Sequence, residues 1–234
     1  NLFKGEEGLL DELAARGCDP QIKVWNDPDV DWSEAGMVVV RSVSDYASDR
    51  PAFLEWTKQL RRVQNSADVL NWNTDKHYLK ELAALGMPTI PTNWLEPEQN
   101  LSKHQIHTRF PAFGEFVVKP AVSSGVRDIG RYTTVDTRQR QAAMRQVQGL
   151  LGEGRSVMIQ RYVEEIDLHG EISLVFFNGL VSHAVEKRSA LHPASVSDPA
   201  VHEAVVTAEA ADSVAWKWGE EIRRVLHGYV RSRL

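Results

Sequence analysis

Apolar residues change period along this chain, from helical spacing to strand-like runs and back. Gly8 to Arg16 has helical spacing, with Gly17 in position to end the helix. Gln21 to Trp25 and Met37 to Val40 read as strands, and the second is continuously apolar, as a parallel strand covered on both faces should be. Pro51 to Val63 is an amphipathic helix carrying Phe53, Leu54, Trp56 and Leu60. An αβ rhythm ordinarily begins with a strand, so a further strand is expected ahead of this first helix. Asn71 to Lys76 opens another helix, capped by Asn73 or Thr74, with Leu79, Leu82 and Ala83 on one face and Gly86 as its stop.

A proline-rich linker, Met87 to Pro97, comes next. Beyond it Phe116 to Pro120 and Arg131 to Val135 are strands, and Asp136 or Thr137 caps a helix running to Leu151, ended by Gly152-Glu153-Gly154. Val157 to Gln160 is a buried strand that Arg161 to Glu165 continues in extended form. Glu171 to Phe177 and Leu180 to Lys187 flank Asn178-Gly179, a strong hairpin signal. Asp198 to Leu226 is rich in helix formers and predicts one or two helices. The pattern is α/β and α+β: a doubly wound N-terminal domain over 1–72, then two further parts over 73–159 and 160–234.

Composition narrows the chemistry. A formal charge of -5 and a pI near 5.9 argue against nucleic acid or an anionic membrane as partner, since both need a broad basic face. Any affinity for phosphate must be local. Cys18 is the single cysteine, read as a small buried filler; an intramolecular disulfide is excluded and a reducing cytoplasm suits the chain. No apolar run approaches the ~20 residues of a membrane span.

The sequence Phe116-Val117-Val118-Lys119-Pro120-Ala121-Val122-Ser123-Ser124-Gly125 carries most of the chemical information. A lysine at a strand's mouth meets small hydroxyl residues and a glycine, whose backbone N–H groups can turn toward one anion. The same pattern fits an edge strand whose lysine guards against aggregation. Lys76, read in the first turn of its helix, is opposed by the helix dipole, a penalty that a bound anion would reverse; a solvated lysine tolerating the small cost fits as well. Arg41 to Tyr46 follows an apolar strand where parallel sheets bind ligands, or is ordinary loop solvation. His104 and His107 sit three apart without cysteine or acidic partners and are read as solvated. The tryptophans read as core, with Trp72 alone able to face a ligand.

A lysine at a helix start, a lysine at a strand end before a small-residue loop, a strand ending in glutamine, and an acid opening a hairpin occur here in that order. The stretches are Asn73-Thr74-Asp75-Lys76, Phe116 to Gly125, Met158 to Val163 and Gly170 to Val175. The order resembles the ATP-grasp superfamily, its glutathione-synthetase-like branch, and within it the cyclo-ligases that close O-ureido-D-serine in D-cycloserine biosynthesis and their relatives. The resemblance implies a pre-ATP-grasp domain followed by a two-subdomain ATP-grasp fold. It implies an ATP-dependent carboxylate–amine ligase working through an acyl phosphate, on a small amino-acid-like substrate.

The resemblance also assigns residues. Lys76, Lys119 and Lys187 would approach the phosphates, with Lys119, Lys187 and Arg188 catalytic. Ser123, Ser124 and Gly125 would fold over the β and γ phosphates. The Gln160 side chain and the backbone of Arg161 and Val163 would read the adenine edge, while Val117, Ile159 and Tyr162 sandwich the ring. Glu171 would hold the ribose, and Arg41, Ser42 and Asp45 would grip the substrate. Taken singly, Glu171 and Lys187 are also ordinary strand-end charges. ATP and Mg2+ are the implied cofactors, with metal ligands expected beyond Leu234 and the Ala190 to Asp198 stretch short by comparison. A homo-oligomer is allowed. An amino-acid or dipeptide ligase of the same fold, or a nucleotide-binding regulatory protein without catalysis, remains open beside the cyclising ligase.

Overall fold

The computed structural model describes residues 7–187, 191, 203–206 and 213–233. Arg188, the Ala190–Asp198 stretch apart from Leu191, and the segment beyond Leu234 lie outside the described residues. The chain forms two compact units, Asn1–Thr74 and Asp75–Leu234.

In the first unit, α1 (Glu7–Ala15) ends at Gly17, whose φ of +80° only glycine adopts without strain. Gln21 to Trp25 does not form a strand: no neighbouring strand pairs with it, and Ile22 and Val24 stay exposed while Trp25 is buried. The apolar run keeps only β1 (Val38–Val39), because its parallel partner β2 (Val63–Gln64) is two residues long before Ser66 caps the next helix. It is not covered on both faces. Val38 and Val40 join the core, whereas Met37 and Val39 are more than half exposed. That core is aromatic: Trp25 meets Phe53 edge-on at 5.4 Å, and Trp32 meets Trp56 at 5.0 Å. Phe53 and Trp56 come from α2 (Arg50–Gln59), capped by the Asp49 side chain and ended at Leu60, three residues before the expected stop at Val63. Then α3 (Ala67–Asn73), capped by Ser66, takes up residues expected to open the next helix, so Thr74 is a C-cap and not an N-cap. Cys18 is exposed, against the buried filler expected of it, since it follows the Gly17 turn instead of occupying a helix face.

The second unit begins with a turn over 74–77 and α4 (Tyr78–Ala84). The expected linker contains an edge strand, β3 (Thr92–Leu95); then come α5 (Lys103–His107), β4 (Glu115–Pro120), β5 (Gly130–Thr133), α6 (Thr137–Gly152) and β6 (Val157–Arg161). The strand order is β3-β6-β4-β5, antiparallel throughout. One face packs Leu95, Phe116, Val118, Val157 and Ile159 against Ala143, Val147 and Leu150 of α6 and Ile106 of α5. These five alternate along their strands with the residues of the opposite face, as period-2 geometry requires.

The extended run expected over Arg161 to Glu165 holds through Arg161 and Tyr162 and gives way to a short helix, α7 (Glu165–His169), after which β7 (Glu171–Phe177) and β8 (Leu180–Lys187) form the hairpin. Asn178 and Gly179 both have positive φ, at 51° and 78°, the signature of the two-residue turn expected here. A third strand, β9 (Glu203–Val206), pairs with β8 in a segment read from composition as helical. The final helix α8 (Ser213–Arg233) lies against β7, and Gly219 permits the approach, because a Cβ there would meet Leu174 Cδ1 at 2.3 Å.

Candidate functional site

The face of the four-stranded sheet turned away from α5 and α6 carries the polar groups. Residues paired across a ladder share a face, so the register fixes who stands beside whom. Lys119 pairs with Met158, which pairs with Trp94; Val117 pairs with both Gln160 and Arg131, and Gln160 with Thr92. β4 is an interior strand, which removes the edge-guard explanation of Lys119. Burial lowers the pKa of Lys119, opposed by the negative charge of Glu171, so the acid opening β7 lies within electrostatic reach of this ammonium.

Lys76 reaches the same corner by a route different from the one expected. It precedes α4 within a turn and is not in the helix's first turn. Its backbone N–H donates to Ala121 O at 3.1 Å, and its Nζ donates to Ser123 O at 2.9 Å and Ser123 Oγ at 2.8 Å. The penalty on its charge comes from elsewhere: burial first, then the positive charge of Lys119, together lowering its pKa to about 8. Two lysines thus lie within electrostatic reach of one another at the mouth of β4.

The loop after β4 divides in two. Ser123 is buried and tied to Lys76 and, through its hydroxyl, to Pro120 O at 3.3 Å. Gly125 turns with φ at 62°, and residues 125–128 are exposed. Across the second sheet Glu171 pairs directly with Lys187, bringing a further lysine beside the acid.

Several assignments shift on inspection of the register. Ile159 is 2% exposed and belongs to the α6 face, so it cannot help sandwich a ring on the lysine face. Met158, itself fully buried, stands on the lysine face instead, in register with Lys119. Counting two residues back from Gln160 would have found it. The Gln160 amide donates to Thr92 Oγ1 at 2.7 Å, which anchors its side chain to the edge strand. Arg161 is exposed and lies over the Phe113 ring at 4.5 Å, while the Val163 carbonyl accepts from Ile166 N at 3.2 Å. Tyr162 N–H donates to Glu115 O at 2.9 Å, extending the ladder past β6.

Sequence reasoning missed two clusters. The Arg131 guanidinium lies 3.7 Å over the Tyr162 ring, bonds Glu115 and pairs with Asp167 at 2.8 Å, and Tyr162 OH bonds Asp167. Beside Lys76, His77 bridges Asp75 at 2.6 Å and Glu96 at 3.1 Å and stacks on Trp94 at 4.5 Å. Burial would raise the Glu96 pKa, but hydrogen bonds from Ser156, His77 and Lys80 outweigh it and hold the carboxyl at about 2. Both clusters join residues far apart in sequence, so no local motif announces them.

The remaining candidates sit in the first unit. Arg41, Ser42 and Asp45 line a groove of about 260 Å³ together with Leu9, Ile22, Met37 and Val39. Asp45 accepts from the Trp25 indole N–H at 2.9 Å, and Ser42 adopts a φ of 52°. Among the described residues no group of three or more His, Cys, Asp or Glu side chains is placed to hold a metal ion. Among them, too, no helix is long and apolar enough to cross a membrane.

The chain is similar to known proteins in sequence and fold. Residues 1–71 match the family of the D-cycloserine synthetase DcsG N-terminal domain. The cycloserine biosynthesis protein DcsG of Streptomyces lavendulae is 35% identical over 190 residues, which are 79% of this chain. The chain spans 62% of the length of that curated relative. A RimK domain protein ATP-grasp from Sphaerobacter thermophilus DSM 20745 superposes with a TM-score of 0.53 at 15% identity, over 80% of this chain and 70% of that one, a likeness of fold alone. The crystal structure of D-cycloserine synthetase DcsG superposes with a TM-score of 0.76 at 30% identity, over 94% of this chain and 75% of that one. With that identity sustained over three quarters of a solved relative, the chain belongs to the DcsG family and has an ATP-grasp fold.

Proposed function

We propose that this chain binds ATP on the lysine face of its four-stranded sheet and serves an ATP-dependent carboxylate–amine ligase of the cytoplasm. The observation that carries the reading is the pairing of Lys76 and Lys119 in one partly buried corner. Two partly buried ammonium groups within electrostatic reach of one another in an acidic protein are poorly accounted for without an anion that relieves both.

The register suggests how a nucleotide would lie. Lys119 and Val117 are two residues apart on one face, about 7 Å along the strand. With the triphosphate at Lys76, Lys119 and Lys187, the base would rest over Val117 near Tyr162, and Glu171 would face the ribose. Gly125 opens the exposed part of the loop and Ser124, half-buried, precedes it; both would fold over the phosphates. Arg41, Ser42 and Asp45, in the first unit, would grip the substrate.

In the reaction, a substrate carboxylate oxygen attacks the γ phosphorus and ADP leaves. An amine then attacks the acyl carbon, and orthophosphate leaves. The lysines offset the negative charge that builds on the transferred group, and no side-chain nucleophile is required. The named activities of the DcsG relatives favour an amine within the same molecule, which closes a small ring as in D-cycloserine formation.

The test is release of ADP and orthophosphate by the intact protein over a set of amino acids and their ureido and hydroxylamino derivatives, with hydroxylamine trapping of the acyl phosphate. Carboxylate-dependent phosphate release is expected. Saturable ATP binding with no turnover on any carboxylate would leave a regulatory binder and overturn the ligase.

A further inference from the structure

Arg131 ties together several separate segments of the second unit. From β5 it bonds Glu115 on β4 through Nε at 3.0 Å, pairs with Asp167 on α7 at 2.8 Å, and donates to Leu191 O, beyond β8, at 3.2 Å. Its guanidinium plane lies 3.7 Å over Tyr162, whose own hydroxyl bonds Asp167. Arg131 also stands beside Val117 on the lysine face, on the same rung as Gln160. Its side chain is 17% exposed, so the fork is held in one orientation by carboxylates on two sides.

We infer that Arg131 is a positioning residue for the nucleotide base. It fixes the ring of Tyr162 and the segment joining β6 to α7, so that the base-binding end of the cleft is preformed while the phosphate end depends on the lysines. The inference rests on the nucleotide reading proposed above. A planar fork is needed because it must stack on a ring and bond two carboxylates at once. Lysine, a point charge on a flexible stem, cannot do both. Replacing Arg131 by Lys therefore keeps the charge and loses the geometry.

Two ligands separate the ends of the cleft: ATP, which has a base, and inorganic triphosphate, which does not. Titration calorimetry with magnesium present should give Arg131→Lys an ATP Kd about tenfold higher, with the triphosphate Kd unchanged within about twofold. Tyr162→Phe, which keeps the ring and loses the hydroxyl bond to Asp167, should shift ATP in the same direction by a smaller factor. A parallel loss for both ligands would mean that Arg131 supports only the fold, and unchanged ATP affinity would remove the role altogether. If the unsubstituted protein bound triphosphate but ATP no more tightly, the base site would fall while the lysine site stood; if it bound neither, both readings would fall.

Discussion

Binding of a polyphosphate at Lys76 should take up a proton, and the amount follows from the geometry. In the free protein this ammonium is lowered from 10.5 to about 8 by burial and by Lys119, despite the nearby charge of Asp75. At pH 8 about half the molecules therefore carry a neutral Lys76. A bound triphosphate restores the charge, so uptake approaches half a proton per site at that pH. Affinity should then fall as pH rises through 8, by up to about tenfold between pH 7 and pH 9, less to the degree that solvent screens this partly exposed group. The sign for the free fold is the opposite. A lysine whose folded pKa is lowered penalises the fold while charged, so apo stability through this group is lowest below pH 8 and recovers between 8 and 10.5. Calorimetry at pH 8 in two buffers of different ionisation enthalpy measures the uptake directly, and Lys76→Met should abolish it. Equal uptake in the substituted protein would assign the proton to another group and refute the reasoning.

Glu96 behaves in the reverse sense. Its folded pKa of about 2 lies below 4.5, so its contribution is complete above pH 4.5 and is lost as pH falls through 2; Glu96→Gln should cost about 1–2 kcal/mol at pH 7 and progressively less toward pH 2 in urea titrations, and a pH-independent difference would contradict this. The face assignment of β6 is tested by neighbours. Ile159→Val should cost about 0.5–1.5 kcal/mol with nucleotide affinity unchanged, whereas Met158→Ala, at a buried position, should cost about 2–5 kcal/mol and also weaken ATP binding severalfold in protein that remains folded by circular dichroism. The reverse pattern would exchange the two faces. Gly179→Val should lose about 1 kcal/mol or more in thermal unfolding, because φ at 78° admits a β-branched residue only with strain; no loss would mean that the turn relaxes at no cost.

What the sequence disclosed and what it hid divide along a physical line. The hairpin at Asn178-Gly179, the cap at Asp136 and the lysine at the end of β4 were legible because each is decided by a few consecutive residues. β3 was hidden inside a proline-rich stretch because an edge strand needs only one partner, and that partner, β6, is over sixty residues later. The run at Met37 to Val40 misled for a related reason: continuous apolarity measures the absence of charge, whereas a ladder's length is set by the strand beside it. Lys76 is the instructive case. The residue was singled out as lying in a helix's first turn, which it does not, yet a penalty on its charge exists, and it comes first from burial and then from the lysine forty-three positions onward. A motif can mark which residue matters without giving the force that acts on it. Here that force arises only when the loop after β4 closes on the turn before α4, through Ala121 and Ser123. The site is therefore assembled by the same contacts that make its charges unfavourable, and an anion that relieves them also tightens the fold that holds it.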